Sequence, residues 1–300
     1  MPENARKYLD PEVLNKITRL DLKARHIVEG FVAGMHKSPY HGFSVEFAEH
    51  REYTPGDDLK HLDWKVFART DRPYVKEYEL ETNLRSHILL DTSESMDYRS
   101  GDTSKLELAC FVAASMAYLI LRQQDSAGVV CFDREVRQFV PPSSSMGHMG
   151  TMLGVLGQTS AREKTDIGGV FNALAERFRN RSLVIVISDL FDRPDAILKA
   201  FQHFRHKRHD VIVFHVMDEY ELTFPFQSMT LFEGLEEYPK LLVDPRALRK
   251  AYLEEVERFC ETIRRGCVRQ SIDYVRVSTG QPLDFVLARY LASRLSIRKK

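Results

Sequence analysis

From residue 86 onward, apolar runs of strand length alternate with longer stretches of helical period. Ser86–Asp91 (SHILLD), Ala127–Phe132 (AGVVCF), Ser182–Ser188 (SLVIVIS) and Asp210–Val216 (DVIVFHV) are apolar at nearly every position. That is the pattern of strands covered on both faces. Val136–Val140 (VRQFV) follows the second run after a short turn at Asp133–Glu135, which predicts a hairpin, and Ile272–Ser278 (IDYVRVS) alternates as an edge strand does. Helical periodicity covers Ser104–Gln123, Asp166–Phe178, Pro194–His206, Pro245 to about Arg265 and Pro282 to about Leu295. The stretch 141–157 reads as loop with a short helix around Met149–Leu156. Strands that alternate with helices predict a three-layer α/β fold, a doubly wound and mostly parallel sheet with the 127–140 hairpin at one edge.

Character differs before residue 86. There the chain is polar, aromatic and turn-rich: Thr54-Pro55-Gly56-Asp57 is a turn sequence, and Tyr74–Tyr78 alternates like a strand. The reading is a small β-rich N-terminal segment (1–85), an α/β domain (86–296) and a short tail (297–300). Arg51, Asp57, Asp58 and Asp63 are expected in structural ion pairs of that first segment, or in partner contacts.

Composition narrows the class. Hydrophobic residues make up 43% and charged residues 29%, so the chain can bury a core and is not predominantly disordered. Lys+Arg and Asp+Glu both number 43, leaving no bulk field to hold nucleic acid or an anionic membrane. The basic, His-rich end of one helix (His203, His206, His209) is explained by the helix dipole. The longest apolar stretch, Leu108–Leu121, is shorter than the ~20 residues of a membrane-spanning helix. No integral membrane segment and no secretory leader are expected, and peripheral association stays open. Cys110, Cys131, Cys260 and Cys267 form no C-x-x-C pair, a reduced-compartment pattern that predicts a cytoplasmic protein.

In a doubly wound sheet, ligands bind at the carboxyl ends of strands where the strand order reverses. The polar groups found there are Asp91-Thr92-Ser93-Glu94-Ser95 after the first strand and Ser188-Asp189 after the fourth, with Thr165-Asp166 opening the helix before the fourth. Alternate side chains of an extended segment point the same way, so Asp91, Ser93 and Ser95 can converge while Thr92 and Glu94 face elsewhere. Hydroxyl and carboxylate oxygens are hard ligands suited to Mg²⁺ or Mn²⁺. Each residue also has a plainer use: Asp91 as a cap, Ser93 and Ser95 as turn residues, Thr165 or Asp166 as an N-cap, Asp189 as a loop carboxylate.

DTSES, TDIGG and ISD together resemble the metal-ion-dependent adhesion site of von Willebrand factor A-like domains. The resemblance implies one divalent ion bound by Asp91, Ser93, Ser95, Thr165 and Asp189, with the hydroxyls in direct contact and the aspartates acting largely through water. Residues 51–79, with R-E-Y-x-P-G-D-D, D-W-K and A-R-T, resemble the signature of bacterial domain-of-unknown-function family 58. That likeness implies a partner, a MoxR-type AAA+ ATPase or its client.

Enzyme motifs are scarce. No G-x-x-x-x-G-K-[ST] phosphate loop and no G-x-S-x-G elbow occurs. Asp91 followed by Ser93 resembles an aspartyl-phosphate motif, but that chemistry wants a second acidic residue two positions on and a lysine near the later Asp. Position 93 is Ser, and Ile187–Asp192 contains no Lys. The expectation is therefore a metal-dependent protein-binding adaptor rather than an enzyme, the alternative being a Mg²⁺-dependent phosphoryl hydrolase with Asp91 as nucleophile.

Overall fold

The computed structural model describes residues 45–54, 62–80, 84–232 and 240–281, with Val286 and Tyr290. The contacts divide the chain into two compact units, one comprising Phe31–Asn83 and another that takes up the chain at Leu84. Expectations for Asp57, Asp58, most of the last helix and the tail fall outside the described residues.

In the first unit, β1 (Val45–Glu52) pairs antiparallel with β2 (Tyr74–Leu80), and α1 (Trp64–Thr70) lies between them in sequence. The D-W-K motif has a local cause. Asp63 is the N-cap of α1, accepting from Lys65 N at 3.0 Å and Val66 N at 3.3 Å. Trp64, the only tryptophan, is 63% exposed.

The second unit is built on β3 (Arg85–Asp91), β4 (Ser126–Phe132), β5 (Val136–Ser143), β6 (Leu183–Ser188), β7 (Asp210–Met217) and β10 (Asp273–Ser278). Their order is β10-β7-β6-β3-β4-β5, and β5 alone runs antiparallel to its neighbour. This is the mostly parallel, doubly wound sheet that the sequence pattern predicts, with the hairpin at one edge and β10 at the other. The helices are α2 (Lys105–Arg122), α3 (His148–Gln158), α4 (Ile167–Arg177), α5 (Pro194–His206), the short α6 (Glu219–Thr223) and α7 (Pro245–Arg269). A small antiparallel pair, β8 (Thr230–Phe232) and β9 (Leu241–Val243), precedes α7 and had no clear period in the sequence.

Both sheet faces are buried, which explains the continuous apolar strands. Leu89, Val130, Val186 and Val213 pack with Phe171, Phe201 and Phe204 of α4 and α5 and with Ile263 of α7. Ile88, Leu90, Ile185 and Phe214, at alternate positions, are fully buried on the other face, where α2 lies. The apolar stretch Leu108–Leu121 is thus a core helix. Among the described residues no helix is long and apolar enough to cross a membrane.

The core also buries histidines. His87 is 6% exposed, stacks on Phe178 with centroids 3.7 Å apart, and keeps a buried Nδ1 without a partner among the described residues. Burial, then the charges of His209, Arg85 and Arg177, push its pKa from 6.5 down to about 3. The unfolded chain takes up this proton near pH 6.5 and the folded one does not, so stability is whole above pH 6.5 and falls as pH drops toward 3. The loss is about 1.4 kcal/mol per pH unit for such a group. Burial lowers His215 and His209 as well. Urea midpoints measured at pH 7 and pH 5 should therefore converge in His87→Leu relative to the wild type; an unchanged gap contradicts the assignment.

Candidate functional site

The strand order reverses between β3 and β6, and the loops at their carboxyl ends meet at that switch point. Asp91 is the last residue of β3 and is fully buried. Its Oδ1 accepts from Ser93 N at 2.9 Å and its Oδ2 from Ser188 Oγ, at the end of β6, at 2.5 Å. Ser93 Oγ lies 3.1 Å from Ser95 Oγ, whereas Thr92 Oγ1 turns away to Phe132 O at 2.9 Å. Asp91 and Ser93 follow the alternation of an extended segment, while Ser95 is brought beside Ser93 by the single 3₁₀ turn Glu94–Asp97.

The third loop is tied to the first by backbone bonds, Glu94 N to Glu163 O at 2.9 Å and Arg162 N to Thr92 O at 2.8 Å. At its end Asp166, not Thr165, caps α4, its Oδ1 accepting from Gly169 N at 2.9 Å. The cap explains one glycine of TDIGG, because a Cβ at position 169 would strike the Asp166 carboxylate. Thr165 is thereby released from capping, and its Oγ1 is buried with no hydrogen-bond partner among the described residues.

Asp189 follows β6 and is 4% exposed. Leu190 beside it has φ 54°, a left-handed conformation that costs a non-glycine residue roughly 1–2 kcal/mol. Ser188 Oγ, which donates to Asp91, also accepts from Leu190 N at 2.8 Å. One serine therefore holds the carboxylate of β3 and the strained turn after β6. Such strain persists only where surrounding contacts over-determine it, and it concentrates at functional sites.

Charge dominates the site. Burial first, then the neighbouring Asp189, push the Asp91 carboxyl well above the usual range. Asp189 goes the other way. Burial raises it, but Lys105 overrides that and the net direction is down. The Lys105 Nζ lies 2.8 Å from Asp189 Oδ2 and 2.8 Å from Glu221 Oε1, and its side chain is 3% exposed. Burial would lower this ammonium's pKa; the two carboxylates reverse that and hold it above the ordinary lysine value. Glu221 is fixed in turn, its Oε2 accepting from Asp218 N at 2.7 Å.

The structure thus brings together the loops bearing all five sequence-derived residues, with direct contacts among Asp91, Ser93 and Ser95. Sequence reading missed Lys105 and Glu221. It sought a lysine beside Asp189 in sequence, whereas the lysine comes from the start of α2 and Glu221 from the short helix after β7. One signal existed: Lys105 is the first residue of α2, where a cation opposes the helix dipole and needs an acidic partner.

The donor set suits a hard divalent ion. Ser93, Ser95 and Thr165 offer hydroxyl oxygens, Asp91 and Asp189 offer charge, and the Thr165 Oγ1 has no other use. Among the described residues no group of three or more His, Cys, Asp or Glu side chains could hold a metal, so an ion here depends on hydroxyls.

A family model described as "Protein of unknown function DUF58" matches residues 49–261. The uncharacterized protein Rv1480 of Mycobacterium tuberculosis is 27% identical over 224 residues, covering 72% of this chain and 68% of that one. Among solved structures, the conserved hypothetical protein BatB from Bacteroides thetaiotaomicron has a TM-score of 0.45 at 18% identity, over 71% of this chain and 99% of that one. The SpRpn10 VWA domain has a TM-score of 0.40 at 12% identity, over 69% and 95% of the two chains.

An orphaned buried hydroxyl carries a stability cost that its removal should relieve. In EDTA, Thr165→Val should leave the urea-derived stability unchanged or raise it by up to about 1 kcal/mol. A loss of about 1 kcal/mol or more would mean that the hydroxyl has a protein partner.

Proposed function

The chain belongs to the DUF58 family, and from that premise we propose a metal-dependent protein-binding adaptor. In this reading Ser93, Ser95 and Thr165 hold one Mg²⁺ or Mn²⁺ through their hydroxyls, and Asp91 and Asp189 orient its waters. Bound there, the ion supplies a Lewis-acidic point at which a partner's Asp or Glu carboxylate is captured. The observation that carries the reading is the Thr165 Oγ1, buried without a partner among the described residues, on a loop bonded to the loop of Ser93 and Ser95.

The protein's own residues supply selectivity. Ser188 and the Ser93 amide keep Asp91 in place, so its charge stays at the centre of the site. A partner carboxylate that approached without an ion would meet no coordinating cation, because the Lys105 ammonium is already committed to Asp189 and Glu221. Partner binding is therefore conditional on the metal, and by linkage the partner tightens the metal by the same factor. The partner named here is a MoxR-type AAA+ ATPase or its client, as the family resemblance implies. A cytoplasmic setting fits the four free, buried cysteines.

One observation bears on the phosphoryl hydrolase alternative: Lys105 against Asp189 is a feature that chemistry wants. Against it stands position 93, which is Ser where that chemistry wants a second acidic residue. Incubation with p-nitrophenyl phosphate and Mg²⁺ should release no phosphate above background.

Two binding measurements test the adaptor. Calorimetric Mn²⁺ affinity should fall by about tenfold or more in Asp91→Asn, which keeps an acceptor for Ser93 N and removes the charge. Capture of the MoxR-type ATPase on the immobilised protein should occur in Mg²⁺ and vanish in EDTA; equal capture in both rules out the carboxylate-capture mechanism.

A further inference from the structure

Lys105 is an unusual residue for its position. It is the first residue of α2, where the helix dipole disfavours a cation, and it is 2% exposed. The start of α2 is closed by a capping box: Ser104 Oγ accepts from Glu107 N at 3.1 Å, and Ser104 N donates to Glu107 Oε2 at 3.3 Å. The ammonium therefore cannot be dismissed as a surface charge folded back by chance.

The carboxylates around it outnumber it. Asp91 and Asp218 are fully buried, Asp189 is 4% exposed, and the Glu221 side chain is 24% exposed. The ion pairs of these groups among the described residues run to Lys105 alone, through Asp189 and Glu221. Asp218 is accounted for by donors, accepting from Ser100 N, Tyr220 N and Thr279 Oγ1. What remains is a single ammonium shared between one carboxylate of the metal site and one carboxylate outside it.

We propose that Lys105 is a counter-ion built into the site, whose ammonium competes with the divalent ion for Asp189 and so sets how tightly that ion is held. The inference rests on the metal reading above and adds a residue that regulates it. In the metal-free protein Lys105 neutralises Asp189, which lets two buried carboxylates stand side by side without an ion. When an ion takes up Asp189, two cations face the same carboxylate and repel. Glu221 gives the ammonium a place to retreat, since its other oxygen is held by Asp218 N and it does not move with the ion. The Tyr98 ring, 5.9 Å from the Nζ, lines the same retreat. Capture of an ion is therefore coupled to the Lys105–Glu221 contact and through it to α6, which carries Glu221.

The test is Mn²⁺ binding to the full chain, followed by the electron paramagnetic resonance signal of free Mn²⁺, in wild type, Lys105→Gln and Lys105→Met. Removal of the competing charge should tighten Mn²⁺ by about tenfold or more in both variants. Thermal melting gives the reciprocal reading: in EDTA the variants melt below wild type, and saturating Mn²⁺ closes most of that gap. Should the variants fail to fold, the wild type alone decides. In protein labelled with ¹⁵N at lysine Nζ, saturating Mg²⁺ should shift the Lys105 ammonium resonance. Mn²⁺ binding that is unchanged or weaker in the variants, or an ammonium resonance indifferent to a saturating Mg²⁺ titration, overturns this inference and leaves the metal reading standing. Absence of Mn²⁺ binding in wild type and variants alike overturns both.

Discussion

Two carboxylates, Asp91 and Asp189, are buried beside each other at the carboxyl ends of the central strands, and the polar structure around them holds that charge. Burying one charge is costly, and burying two of like sign adds repulsion to desolvation. The protein meets this with hydrogen bonds from Ser93 N and Ser188 Oγ on one side and the Lys105 ammonium on the other. The resulting asymmetry is the core of the site. Asp189 has a cation and is held low, while Asp91 has only neutral donors and is pushed high.

The fold makes the juxtaposition unavoidable. Winding the sheet outward in both directions from β3 sets the ends of β3 and β6 side by side, so whatever follows those two strands must share a crevice. Asp91 ends the first and Asp189 follows the second. The loop with Thr165 is drawn in by backbone bonds to residues 92 and 94, and Asp166 takes over the capping of α4. Leu190 is held in a left-handed turn by the same Ser188 hydroxyl that binds Asp91, which couples the geometry of both strand ends.

Much of this was legible in the sequence because the core strands are apolar on both faces and the helices keep their period. SLVIVIS and DVIVFHV admit few readings, and the hairpin at Asp133–Glu135 is local, with Glu135 N donating to Asp133 Oδ1 at 3.1 Å. The D-x-S part of the D-x-S-x-S spacing was legible for a similar reason, since alternation is a short-range property, whereas Ser95 reaches Ser93 through a 3₁₀ turn that alternation does not foresee. The choice between Thr165 and Asp166 as cap was not, because both residues cap well and the decision depends on a close approach at Gly169. Lys105 and Glu221 lay further beyond reach: they are 116 positions apart and meet only because α2 and α6 begin at the same, carboxyl end of the strands. Asp63 caps α1, a use that the D-W-K spacing before a helical turn already permitted.

The claim at the centre is that three hydroxyls from two loops form one divalent-ion site beside these carboxylates. Crystals soaked in Mn²⁺ and measured at a wavelength where manganese scatters anomalously test it most directly. The account predicts a single anomalous peak within bonding distance of the Ser93, Ser95 and Thr165 hydroxyls. A saturating soak with no peak there, or with manganese bound only elsewhere on the chain, would contradict it.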